Sequence, residues 1–264
     1  SELPGPQNGC RQAAIDGHIE IGRRCRELGV DTIVVLDSHW LVNSAFHINC
    51  GAHFKGVYTS NELPHFIKNM EFDYDGNPEF GQLMQEEIAK TGIRVQAHNI
   101  ESLHLEYGTL VPMRYMNQDK KFKVVSVSAF LTSHELQDSR KFGEGLRAAI
   151  EKYDGTVAVF ASGSLSHRFI WDREASRGMD SYTREWDRQV DKHVVGMWER
   201  GEWAEFTAML PEYADYCYGE GGMHDTAMLL GLLGWDQYDK PVEILTPAFP
   251  SSGTGQINAI FPVE

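Results

Sequence analysis

Three predicted element ends in this 264-residue chain carry side chains that could do chemistry. The apolar run "VVLDSHW" ends at Asp37 and His39, and the run "VFASGSLSH" ends at His167. A glycine-rich turn, "YGEGGMHD", places Glu220 and Asp225 before an apolar helix. Ligands of layered α/β proteins gather just outside the strand ends, so we expect these polar groups to meet in one site.

The residue types at these ends favour an iron site. Two histidines and one carboxylate form the facial ligand set that leaves open positions on a non-haem Fe(II). Asp37 lies two residues before His39, on the same side of an extended chain, and could orient its imidazole. Each residue also has a plainer interpretation. A lone histidine after a strand is more often a hydrogen-bonded packing residue, and Asp225 could simply cap the helix that follows it.

The residues before His167 are small and polar: Ser162, Gly163, Ser164 and Ser166. Small residues let a backbone approach a ligand closely. A neutral imidazole delivered by such a turn could act as a general base. The plainer alternative is a histidine that only caps a turn or a helix.

Hydrophobic periodicity predicts the elements that must position these residues. Helices are expected over 10–29, 78–92, 138–155, 181–201 and 224–235, the fourth capped by Ser181 with Trp186 on its buried face. Strands are expected over 30–40, 45–50, 123–130, 156–163, 242–249 and 257–263, with a loop over 51–78. Alternating strands and helices predict an α/β fold, and the lack of a repeat or linker predicts one domain over 1–264.

The composition excludes several function classes. The formal net charge is −14 and no basic stripe is visible, so we expect no nucleic-acid partner. No apolar run is as long as a membrane span, so we expect no membrane partner. The four cysteines form no CxxC pair and no signal peptide is visible, which predicts a cytoplasmic protein with reduced thiols.

Four motifs taken together carry a family resemblance: "VLDSHW", "HLEYGTLVPMRY", "ASGSLSHRF" and "GEGGMHDTAMLLG". With them the chain resembles the class III extradiol ring-cleavage dioxygenases, the protocatechuate 4,5-dioxygenase β-subunit superfamily, over essentially its whole length. The resemblance implies a single α/β domain with a central mixed β-sheet flanked by helices. It also implies an Fe(II) cofactor, a catechol-type substrate bearing an acetate group, O₂ as co-substrate, and a homo-oligomer.

The family's site residues carry over by position. The resemblance makes His39 the second metal histidine and His167 the active-site base. The metal acid falls in the 220–225 turn, where counting back from the apolar helix favours Asp225 and residue type favours Glu220. Nothing before His18 matches the T-H-x-P-like context of the first metal histidine, so we expect that ligand to lie upstream of Ser1.

A second departure affects the proton donor. Many relatives carry an Asp-His pair before the G-x-x-V-P turn, and here Glu106 and Tyr107 take those places. Tyr107 is therefore our catalytic candidate, with His104 as the alternative. The substrate's acetate needs a cationic partner, for which Arg11, Arg114 and Arg168 are available, and we take Arg168, next to His167, as the substrate-binding residue.

Other function classes share this residue pattern. A superfamily member could bind metal for signalling without oxygenase activity, or a zinc hydrolase could use the same histidines and acid. A catalytically silent structural subunit is a third alternative. The choice between Fe(II) and Mn(II) also stays open from the residues alone.

Overall fold

The computed structural model describes residues 8–64, 66–170 and 178–263. Within these ranges the helices are α1 (Gln12–Glu27), α2 (Pro78–Ala89), α3 (Tyr107–Met116), α4 (Leu136–Lys152), α5 (Glu185–Arg200), α6 (Trp203–Tyr216) and α7 (His224–Leu233). The strands are β1 (Thr32–Val42), β2 (Phe46–Asn49), β3 (His53–Tyr58), β4 (Met70–Asp75), β5 (Val95–His98), β6 (Lys123–Leu131), β7 (Val157–Ser162), β8 (Glu243–Ser251) and β9 (Thr254–Ile260). None of these helices is both long and apolar enough to span a membrane.

A five-stranded mixed sheet forms the centre of the fold, in the order β5-β2-β6-β1-β7. Strand β1 pairs in parallel with β6 and β7, whereas β2 runs antiparallel to β6. The run from Ile33 to Leu36 is fully buried, as a strand covered on both faces requires. This architecture confirms the predicted α/β class with a central mixed sheet.

Alternate side chains of β1 enter two different cores. Val34 and Leu36 pack with α2, α4 and α7 on one face, and Ile33 and Val35 pack with α1 and α3 on the other. A third cluster joins α5, α6 and α7 to the β8–β9 hairpin around Trp198, where Phe261 also contacts the first core. The strands and helices that carry the candidate site residues are therefore packed against neighbouring elements on several sides.

The structure differs from the sequence predictions at five places, four of which are elements that were not predicted. The expected loop over 51–78 contains the antiparallel pair β3 and β4, whose alternate side chains Phe54, Phe72 and Tyr74 are buried. The short strand β5 and the helices α3 and α6 were not predicted, and both of these helices contain a proline.

The start of α5 was also predicted wrongly. The helix begins at Glu185 after Arg184, so Ser181 is not its cap, and the Ser181 hydroxyl bonds the Gly178 carbonyl instead. Trp186, predicted to be buried, is 61% exposed. Helical periodicity located the buried Val194 and Met197 further along α5, but in the first turn Asp187 is buried and Trp186 is not.

Candidate active site

His39 stands near the end of β1, where the strand's pairing with β6 shifts register between Asp37 and Leu41. Such an irregularity re-aims side chains. The fully buried Asp37 holds this segment, because its Oδ1 accepts the His39 backbone N–H at 2.9 Å and its Oδ2 accepts the Thr109 hydroxyl at 2.6 Å. The Asp37 carboxylate lies 3.8 Å from the His39 Nδ1 atom, so it supports the ring electrostatically as well as through the backbone.

Helix α3 approaches this segment closely because residue 108 is glycine. A Cβ atom on Gly108 would lie 2.1 Å from Asp37 Oδ1 and 2.8 Å from His39 Nδ1. The Gly108 carbonyl also accepts the Ser162 hydroxyl at 2.5 Å, which ties α3 to the end of β7. The start of α3 around Gly108 therefore packs against the His39 segment and supports it.

His167 follows β7 in a segment that the β8–β9 hairpin holds in place. Leu165 N–H donates to the Gly255 carbonyl at 2.8 Å, and Gly255 N–H donates to the Ser166 carbonyl at 2.9 Å. His167 itself forms an isolated bridge with Thr254 and donates its backbone N–H to the Cys217 carbonyl at 3.0 Å. The small residues predicted to admit a ligand thus also admit a neighbouring hairpin.

The third segment is the 3₁₀ turn Glu220–Met223. Gly221 and Gly222 take positive φ values of 58° and 70°, a region that favours glycine. A Cβ atom on Gly221 would lie 2.7 Å from the Ala129 carbonyl and 3.2 Å from Ser38 Cβ. The glycines therefore let the turn lie directly against the ends of β1 and β6.

The three segments converge at the Glu220 carboxylate. Its Oε1 lies 2.6 Å from His39 Nε2 and 3.8 Å from His167 Nε2, while its Oε2 accepts the Ser164 backbone N–H at 2.5 Å. Burial opposes ionisation of Glu220, but the two histidines and the Ser164 bond hold its pKa well below the usual range. For His39, burial acts to lower the pKa. The neighbouring Glu220 carboxylate outweighs this effect and raises the pKa of His39 to about 9.

Asp225, the other candidate carboxylate, lies in the first turn of α7 and is buried. Its Oδ1 accepts the Thr226 hydroxyl at 3.5 Å, and its Oδ2 occupies the space that a side chain at Gly163 would need, 2.5 Å from an added Cβ. Burial, and then repulsion from Glu220, raises the pKa of Asp225 to about 7. The structure thus brings His39, His167 and Glu220 together, and it places Asp225 beside Thr226 and Gly163.

Tyr107 packs on the His39 ring, with centroids 3.8 Å apart, and donates its hydroxyl to Glu62 Oε2 at 2.8 Å. The alternative, His104, is exposed, and its backbone carbonyl accepts the Asn49 side chain. Glu62 was missed at the sequence level, because it lies in the 51–78 segment that was predicted to be only a loop.

Arg168 follows His167, but other groups engage its guanidinium. One Nη atom donates to the Tyr216 carbonyl at 3.0 Å, Nε lies 3.5 Å from Asp187 Oδ2, and the group stacks on the Tyr218 ring at 3.8 Å. Arg11 is engaged elsewhere, with Asp180 at 3.2 Å, and Arg114 is exposed in the last turn of α3.

A protein-family comparison decides the class of this chain. The family described as "Catalytic LigB subunit of aromatic ring-opening dioxygenase" matches residues 1–262. The chain belongs to this family. The predicted reaction class, ring opening by a dioxygenase, is thereby confirmed.

Individual relatives agree with the family assignment. The LigB-family chain is 68% identical over 249 residues to an Escherichia coli protein named 3,4-dihydroxyphenylacetate 2,3-dioxygenase, covering 94% of this chain and 90% of the relative. It is 23% identical over 209 residues to the 2-aminophenol 1,6-dioxygenase beta subunit of Pseudomonas sp, covering 74% of this chain and 66% of that one.

A solved structure supports the fold. An uncharacterized protein of Escherichia coli K12 superposes with a TM-score of 0.63 at 18% identity, covering 93% of this chain and 91% of the other. At this identity the likeness concerns the fold alone.

The donor atoms of the LigB-family site suit the iron that the family implies. An imidazole nitrogen and an ionised carboxylate face each other across 2.6 Å at His39 and Glu220, and both types are ligands of non-haem Fe(II). Within residues 8–64, 66–170 and 178–263, no three His, Cys, Asp or Glu side chains form a complete metal-binding group. The pair therefore fits as part of a ligand set.

Proposed function

We propose that this ring-opening dioxygenase cleaves 3,4-dihydroxyphenylacetate between ring carbons 2 and 3 with Fe(II) and O₂. The product is 5-carboxymethyl-2-hydroxymuconate semialdehyde, which retains both oxygen atoms of O₂. The observation that carries this substrate is the 68% identity, over 94% of the chain, to a relative named for that reaction. The convergence of His39, His167 and Glu220 supports the same chemistry.

We infer that Glu220, and not Asp225, is the metal carboxylate, and that it acts together with His39. The direct approach of Glu220 Oε1 to His39 Nε2 supports this choice. Bound there, Fe(II) would bring the catechol oxygens and O₂ together and pass electron density between them. The protein's own task is to orient the donors, and Asp37 and Ser164 do so through the bonds already described.

His167 is the general base in this proposal. Its side chain is 28% exposed, so substrate can reach the ring, and its Nε2 points toward the Glu220 carboxylate. The imidazole would take a proton from a catechol hydroxyl, and the nearby carboxylate would stabilise the resulting imidazolium. We assign the proton-donor role to Tyr107, and the contact of its ring with His39 and the hydrogen bond of its hydroxyl to Glu62 support this assignment.

The experiment that tests the function uses the full chain loaded with Fe(II) under anaerobic conditions. With 3,4-dihydroxyphenylacetate present, admitting ¹⁸O₂ should yield a yellow ring-opened product carrying two heavy oxygen atoms. Zn(II)-loaded protein is the control and should yield none. Product that lacks heavy oxygen, or turnover with Zn(II) in the absence of O₂, would refute the dioxygenase proposal.

Arg168 is our proposed partner for the substrate's carboxylate. Arg184 is a matched control, because it also bonds Asp187 and the Tyr216 carbonyl. Arg168→Ala should raise KM for 3,4-dihydroxyphenylacetate about 10-fold or more, as expected for the loss of a charge-assisted hydrogen bond. KM for 4-methylcatechol should not change, and Arg184→Ala should alter neither value. Equal effects of Arg168→Ala on both substrates would assign Arg168 to structure alone.

We also propose that the chain acts as one catalytic domain in a cytoplasmic homo-oligomer. A relative is named as a beta subunit, which supports assembly in the family. In the described residues the four cysteines form no disulfide with one another, which suits a reducing compartment. Light scattering on the purified protein tests the oligomer, and a monomeric mass would refute it.

A further inference from the structure

A buried carboxylate on α5, Asp191, is not accounted for by the proposed chemistry. The Asp191 side chain is fully buried and accepts three hydrogen bonds. Its Oδ1 accepts the Ser166 backbone N–H at 3.2 Å and the Tyr213 hydroxyl at 2.7 Å, and its Oδ2 accepts the Ser166 hydroxyl at 2.7 Å. Burying a carboxylate costs free energy unless the group is well hydrogen-bonded. The hydrogen bonds that Asp191 makes to the His167 segment therefore need an explanation.

Two of these three bonds hold the residue directly before His167. Ser166 is bonded through its backbone N–H and its hydroxyl to Asp191, and through its carbonyl to Gly255. The His167 backbone N–H is bonded to Cys217. The backbone that carries the imidazole is therefore fixed on both sides of the peptide bond between residues 166 and 167.

The approach of β9 to Asp191 requires glycine at position 255. A Cβ atom added to Gly255 would lie 1.9 Å from Asp191 Oδ2. The sequence thus keeps a small residue where the carboxylate and the β8–β9 hairpin meet around the His167 segment. Both the carboxylate and the glycine act on the same stretch of backbone.

We propose that Asp191 is a positioning residue. It fixes the Ser166–His167 backbone and thereby the orientation of the His167 imidazole toward the substrate. This inference rests on the proposed role of His167 as base. Asp191 acts through Ser166 and contacts no reacting group. Positioning errors of about 1 Å can lower turnover by roughly 10²-fold without abolishing substrate binding.

Variants of the three hydrogen-bonding partners separate positioning from general stability. Asp191→Ala should lower kcat by about 10-fold or more, with KM changed less than 2-fold. Asp191→Asn should restore most of kcat, because the Ser166 hydroxyl can rotate and accept from the new amide. Ser166→Ala should lower kcat about 5-fold, whereas Tyr213→Phe, which removes a donor on α6, should leave kcat unchanged.

Hydrogen–deuterium exchange supplies a readout that does not depend on turnover. The peptide covering residues 163–169 should exchange faster in Asp191→Ala and Ser166→Ala than in the parent protein, and at the parent rate in Tyr213→Phe. Unchanged exchange in Ser166→Ala, or equal losses of kcat in Ser166→Ala and Tyr213→Phe, would overturn the positioning role. Should the parent protein fail to open the catechol ring, the proposed function falls, and the exchange experiment still reports whether Asp191 anchors this segment.

Discussion

At the scale of single residues, two carboxylates five positions apart have opposite ionisation tendencies, one in the 3₁₀ turn and the other in the first turn of α7. Glu220 faces two imidazoles and is held ionised, whereas Asp225 faces Gly163 and Thr226 and its pKa is raised to about 7. Burial disfavours the charge of both groups, and only Glu220 has neighbouring imidazoles and a Ser164 hydrogen bond that outweigh it. Proximity in sequence therefore says little about which acid can bind a metal.

Substituting each acid in turn tests the proposed ligand. Glu220→Gln should weaken Fe(II) binding at least 10-fold, because an amide oxygen is a poorer ligand than a carboxylate. Asp225→Asn should bind Fe(II) within about 3-fold of the parent protein. Titration of metal-free protein with Fe(II) under anaerobic conditions measures both values. The reverse order of effects would make Asp225 the ligand.

Replacing His167 tests the base. His167→Ala should lower kcat by roughly 10²-fold or more, the usual contribution of a general base, while the iron content is unchanged. His53→Ala is a suitable control, since that histidine pairs with Asp73 and Asp75 on the β3–β4 hairpin. Activity measurements and iron analysis on the same preparations check this. Parent-like turnover would remove His167 from the mechanism, and loss of iron would make it a ligand.

At the scale of elements, each site residue is held by an element distant from it in sequence. Helix α3 supports the His39 segment through Thr109, and the β8–β9 hairpin supports the His167 segment through Gly255. The turn at Glu220 is held against β1 and β6 by the absence of a side chain at Gly221. These contacts position the donors more precisely than flexible loops could, because each loop is bonded to a rigid neighbour.

The close approach of α3 yields a prediction. Gly108→Ala should displace Asp37 or His39, because the added Cβ would overlap both side chains, and Fe(II) affinity should fall about 10-fold. Gly143→Ala is a matched control, since its Cβ would lie 2.0 Å from the Met228 carbonyl, between α4 and α7. Metal titration and thermal unfolding of both variants check this.

Both alanine variants should unfold at lower temperature than the parent protein, because each forces a packed backbone contact apart. Only Gly108→Ala should bind iron more weakly. If Gly143→Ala loses iron affinity equally, the effect belongs to general destabilisation, and the proposed support of His39 by α3 is wrong.

At the scale of the whole molecule, the formal charge of −14 opposes the approach of an anionic substrate. Salt screens such long-range repulsion, with a Debye length of about 10 Å at 0.1 M, and it affects a partly buried short-range contact much less. For 3,4-dihydroxyphenylacetate we expect kcat/KM to rise about 2-fold between 0.02 M and 0.3 M NaCl. Steady-state kinetics at several salt concentrations measure this.

Uncharged 4-methylcatechol provides the comparison for this electrostatic effect. Its kcat/KM should not change with salt over the same range, because it carries no charge for the protein's field to repel. A fall in kcat/KM for the anionic substrate would instead mean that a local cationic group governs its approach.

The sequence by itself determined the α/β class and the candidate histidines, because apolar runs encode the buried strands, and His39 lies near the end of one strand and His167 in the segment after another. Local periodicity could not find α3 or α6, each interrupted by a proline, or the β3–β4 hairpin. Only the tertiary structure decided that Glu220 lies beside His39 and that Asp191 holds Ser166. These pairs are separated by many residues in the chain, and their meeting depends on how helices and hairpins pack, which no local pattern specifies.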